Sequence, residues 1–115
     1  MFEGLFGNSM IEKILFYLLK NKSTYPSELK RVFETHVSII QKALERLEKN
    51  GIVVSNLIGK TRVYEFNPRY PFLKELIALF EKGYSFLPES IKRKYYEKII
   101  RKRPRRKGKP LDAKN

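Results

Sequence analysis

The sequence predicts a mainly α fold with one small β-hairpin: three helices, the hairpin, and then C-terminal helices. Three observations predict it. Apolar residues recur at helical spacing in three early segments. Two β-branched and aromatic runs then meet at Gly59 and Lys60. Further helical patterns follow Pro71 and Pro88. A chain of 115 residues is long enough for one core and too short for two ordinary ones. The expected division is a folded domain over 1–86 that includes a helix at 71–82, a basic helix over 87–103, and a basic flexible tail over 104–115.

The first helix is "NSMIEKILFYLLKNK", with Ile11, Ile14, Leu15 and Leu18 on one stripe and Ser9 with Glu12 as a capping box. The second is "TYPSELKRVFE", where Pro26 suits a first turn and Leu29, Val32 and Phe33 form an apolar edge. After the break "ETH", a third helix carries Val37, Ile40, Leu44 and Leu47, and Gly51 stands at its left-handed C-terminal cap. "IVVSNLI" and "TRVYEFN" then read as paired strands turned by Gly59. In "PFLKELIALFEKG" the apolar band is too wide for a single contact. Its second side needs cover. The last helix runs from about Pro88 to Lys102 with Ile91, Tyr95 and Ile99 along it, and stops before Pro104.

The net charge of +13 favours a polyanionic partner. Residues 1–91 carry 13 Lys and Arg against 10 Asp and Glu, whereas 92–115 carry 12 against 2. The excess lies in the last fifth, where "RKRPRRKGKP" contains only basic residues, prolines and a glycine. With no cysteine there are no disulfides, thiolate metal sites or cysteine nucleophiles. One histidine, no glycine-rich phosphate loop and no H-E-x-x-H leave no enzyme template, metal site or cofactor site. The longest apolar run, "ILFYLL", is far below the roughly twenty residues that span a bilayer. A soluble, cytoplasmic and nucleoid-associated protein without membrane contact is therefore expected.

Three helices, the second and third joined by a short turn, followed by a hairpin, make a helix-turn-helix with a wing. The string "LERLEKNGIVVSNLIGKTRVYEFNP" resembles the winged helix-turn-helix transcriptional regulators of the ArsR/MarR-like group, and the resemblance covers about residues 9–82. It implies a homodimeric regulator of double-stranded DNA, with the third helix in the major groove and the wing on backbone or minor groove. The metal-sensing role of arsenical-resistance members does not carry over, since cysteine is absent and His36 stands alone. The tail stands where a ligand domain would follow, and the resemblance leaves a small-molecule effector open.

Helical phase puts Ser38 and Lys42 opposite the core side of the third helix, with Ile39 and Gln41 at its flanks. These four are the expected major-groove readers. Gln41 is able to pair with adenine, Lys42 to reach guanine or phosphate, and Ile39 to meet a thymine methyl. An ordinary polar helix face is the plain alternative. Backbone contacts are expected from His36, Lys49 and the wing residues Lys60, Thr61 and Arg62, with a solubilising hairpin end as the alternative. Sequence-independent attraction is assigned to Arg101, Lys102, Arg103, Arg105, Arg106 and Lys107. A dimer seam is expected at Phe72, Leu73, Leu76, Ile77 and Phe80, joined by "FEGLF", although these side chains also suit the domain's own core. Two rivals remain. One is an architectural DNA- or RNA-binding protein whose third helix reads little. The other is a winged-helix protein–protein adaptor with a solvated tail.

Overall fold

The structure is a computed structural model that describes residues 1–97. The helix expected over 98–103, the tail 104–115 and all six of the expected tail contacts, from Arg101 to Lys107, lie outside the described residues. Six α-helices and a three-stranded antiparallel sheet form one small α/β domain among the residues described.

A single turn, α1 (Glu3–Phe6), precedes α2 (Ser9–Asn21). Asn8, not Ser9, caps α2: its side-chain oxygen accepts from the Met10 and Ile11 N–H groups at 2.7 and 3.2 Å. The expected capping box does not form, because Glu12 turns away to accept the backbone N–H of Phe2. That bond ties α1 to α2. The expected stripe of α2 is buried, but so are Phe16 and Tyr17 on other sides. A helix apolar nearly all round belongs in the middle of a domain. Its neighbours are α1 and α5 (Leu73–Ser85), together with α4 (Val37–Lys49).

Strand β1 is only Ser23–Thr24. It was not foreseen, and it converts the start of the expected second helix into a sheet edge. The helix itself, α3 (Pro26–Phe33), starts on Pro26 and buries Leu29, Val32 and Phe33. Three residues, Glu34 to His36, connect it to α4, with Glu34 in the left-handed region at φ 52°. Helix α4 buries Ile40, Ala43, Leu44 and Leu47. Val37 was expected on that stripe but is 38% exposed, at the first position of the helix. Gly51, at φ 77°, closes α4: its N–H reaches the Glu48 carbonyl and the Ile52 N–H reaches that of Leu47, both at 3.0 Å. This double bond pattern is the Schellman cap, and glycine takes its left-handed position at least cost.

Strands β2 (Val53–Ile58) and β3 (Thr61–Phe66) pair from Val53↔Phe66 to Ile58↔Thr61. Of the two turn residues only Gly59 has positive φ, 63°, the arrangement of a type II′ hairpin. Strand β1 pairs with the other edge of β3, giving the order β1-β3-β2.

Helix α5 extends three residues past the expected end. Phe80, assigned to a dimer seam, is 1% exposed and packs on Phe2, Phe6 and Phe16 with ring centroids 5.0, 5.8 and 4.8 Å away. Its ring therefore belongs to the chain's own core. The expected basic helix begins as α6 (Glu89–Ile91) and widens into a π-helical turn over Lys92–Glu97. The wider turn buries Tyr96 instead of Tyr95, and the Asn21 side chain donates to the Tyr96 carbonyl at 3.1 Å.

Candidate nucleic-acid interface

Burial of Ile40, Ala43, Leu44 and Leu47 fixes the rotation of α4 and so decides which residues face outward. Ser38, Ile39, Gln41 and Lys42 are all exposed on its N-terminal half, as the helical phase requires. His36 is the N-cap residue, with extended backbone, and its side chain makes no capping hydrogen bond. The first N–H groups of α4 thus lie at an open helix end with positive electrostatic character.

Lys49 is exposed but sits in the last turn, seven residues and about 10 Å along the axis from Lys42. Between them, Arg46 is also exposed, one turn after Lys42. It was not singled out in the sequence, although its i+4 spacing from Lys42 is the signal that would have found it. Lys30 and Arg31 of α3 are two further exposed cations that were passed over.

The hairpin divides at its middle. Val53 and Tyr64 are buried near its base, while every residue from Asn56 to Thr61 is exposed, as is Arg62. Lys60 lies in the turn itself. Thr61 opposes Ile58, and Arg62 opposes Leu57, so each pair shares a face of the ribbon. Arg62 is not free to point anywhere: its Nη1 donates to Ser55 Oγ at 3.0 Å, and that hydroxyl donates to Glu48 Oε2 at 2.7 Å. The chain of bonds braces the hairpin against α4. Behind it Tyr64 is held above the ordinary phenol range, by burial first and by the Glu48 charge second.

On α5 the expected seam residues separate. Phe72 is exposed; Leu73, Leu76 and Ile77 are half-buried; Phe80 is inside. Ile77 lines a cleft with Leu19 and Phe66 at the junction of α2, β3 and α5. What remains outward is Leu79 on α5 itself, with Phe72 and Phe86 at the two capping positions that flank it. The wide band is covered on its other side by α1, through Phe2 and Phe6.

No group of three His, Cys, Asp or Glu side chains that could hold a metal occurs among the described residues. Among the same residues no helix is long and apolar enough to cross a membrane. No family model matches the chain, and no match is found among curated proteins or solved structures.

Proposed function

We propose that the domain is a winged helix-turn-helix that binds double-stranded DNA in a sequence-specific way, as a homodimeric transcriptional regulator. The observation that carries the reading is the joint exposure of Ser38, Ile39, Gln41 and Lys42 on one helix end, in a domain that also extends a cationic hairpin. In this reading α3 supports α4, α4 lies in the major groove, and β2 and β3 form the wing. Gln41 pairs with an adenine edge, Lys42 meets guanine or phosphate, and Ile39 contacts a thymine methyl. Lys60, Arg62 and the open end of α4 at His36 engage phosphates and set the register. Leu79 on α5, with Phe72 and Phe86 at its two ends, meets its two-fold mate.

Selection of bound duplexes from a random pool, followed by titration of the preferred site, tests this. Gln41→Ala and Lys42→Ala should each relax preference at particular base pairs, by about 1–3 kcal/mol for a bidentate contact. Both side chains are exposed, so the fold should be unaffected. If both variants keep the parent's ranking of sites, α4 is not the reader. Tighter binding to structured RNA at matched salt would reject the duplex.

A further inference from the structure

Leu57 and Ile58 end strand β2 with 62% and 63% of their surfaces in solvent. The fold does not require aliphatic residues there. The nearest core positions of the hairpin are Val53 and Tyr64, and the cross-strand neighbour of Ile58 is the polar Thr61. Cations stand beside both side chains, Lys60 in the turn and Arg62 across from Leu57. Register places Leu57 on one face of the ribbon and Ile58 on the other, so the end is apolar on both sides. It is also stiff. The strands stay paired up to Ile58↔Thr61, Gly59 closes a two-residue turn, and Arg62, Ser55 and Glu48 brace the ribbon to α4.

A narrow, braced ribbon with an apolar end and adjacent cations matches one feature of duplex DNA. Phosphates attract the cations, and an opened base step offers apolar base faces to the aliphatic side chains. An anionic bilayer is a poorer match, because the end carries no aromatic residue to anchor at an interface.

We infer that the hairpin end enters the minor groove as a wedge, with Leu57 and Ile58 inserted against a partly unstacked base step, and that binding bends the DNA. This rests on the duplex reading and adds deformation to it. Preferred sites then carry a TA or CA/TG step under the wedge, since pyrimidine–purine steps open most easily.

The full chain and its Leu57→Ser/Ile58→Ser double variant are compared on end-labelled duplexes of roughly 30 base pairs with a central TA step. Energy transfer between the ends reads the bend, and anisotropy at low salt reads affinity. Circular dichroism should show the variant folded, as both side chains lie outside the core. The wild type should bend the duplex by about 20–90°, and the variant should bind it but leave it straight. A single mismatch at the central step should tighten wild-type binding by roughly tenfold and variant binding hardly at all, because the unstacking is already done. A straight duplex under the wild type, or an equal bend under the variant, overturns the wedge and leaves the duplex reading standing. Absence of duplex affinity overturns both. If the wild type leaves DNA straight yet binds phosphatidylserine vesicles, and the variant does not, the end faces a bilayer and the wedge is rejected.

Discussion

Tyr17 places its ring in the middle of the core, edge-on to Phe33 at 6.2 Å, and its hydroxyl finds no hydrogen-bond partner among the described residues. Burial pushes its ionisation above the ordinary phenol range, and the nearby Glu28 carboxylate adds to the shift. Tyr84 and Tyr96 move the same way, both chiefly by burial, Tyr84 also because its hydroxyl donates to Glu97 at 2.6 Å. For a phenol the charged form is the deprotonated one, so above about pH 10 the unfolded chain holds fewer protons than the folded one. Stability contributed by these groups is therefore complete below that pH and lost as pH rises through it. Urea unfolding should give a free energy that falls above about pH 10, and Tyr17→Phe should reduce the fall. At neutral pH the same variant should be as stable as the parent or more stable by up to about 1 kcal/mol, because an unsatisfied hydroxyl has been removed. A loss larger than that would show that the hydroxyl has a partner in solution.

Packing between α1 and α5 depends on a position without a side chain. A Cβ at Gly83 would lie 2.9 Å from Phe2 Cε2 and 3.1 Å from Met1 Sδ, and Phe2 is itself seated among Phe6, Phe16 and Phe80. Gly83→Leu should displace that ring and lower stability by about 1–3 kcal/mol in urea unfolding. Gly83→Ala should fall between, since a gain in helix propensity of up to about 1 kcal/mol offsets a smaller displacement. The outward side of α5 leads to a different expectation. Leu79→Glu should convert a dimer at tens of micromolar into a monomer by sedimentation and weaken binding to paired half-sites; a wild type that is strictly monomeric would reject the seam. The two sides of α5 also show what was legible beforehand. Its apolar width is a local pattern and was visible, and "FEGLF" was grouped with it, but that this segment covers the band within one chain was not, because the contact of Phe2 with Phe80 joins distant parts of the sequence. Strand β1 escaped for a related reason: two residues carry no period, and only pairing with Tyr64 and Glu65 makes them a strand. Gly51 and Gly59 were legible because each acts through its own backbone. At the candidate interface, helical phase was enough to turn Ser38 and Lys42 outward, whereas the tether on Arg62 needed Ser55 and Glu48 placed by the fold.

Across the whole molecule, charge and shape are divided between segments. Residues 1–91, which include the proposed reading helix and wing, have a net charge of only +3, whereas residues 92–115 have +10. Exposed cations on the domain, such as Lys42, Arg46 and Lys60, share its surface with acids that include Glu45 and Glu48. Long-range attraction to phosphates should therefore come mainly from the C-terminal run, and discrimination between sequences from the domain. Ending the chain at Lys102 removes Arg103, Arg105, Arg106, Lys107, Lys109 and Lys114 against the single acid Asp112, so net charge falls by five. If about three to five of these cations neutralise phosphates, the slope of log K against log salt should become shallower by roughly 3–4 units. Relative preference between a selected site and a random duplex should stay nearly constant, because phosphate contacts carry no base sequence. One titration series for each chain over the same salt range, on both duplexes, gives both quantities. An unchanged slope would take the basic run off the DNA. Loss of site preference with the run would instead place sequence reading there, and α4 would keep only a supporting part.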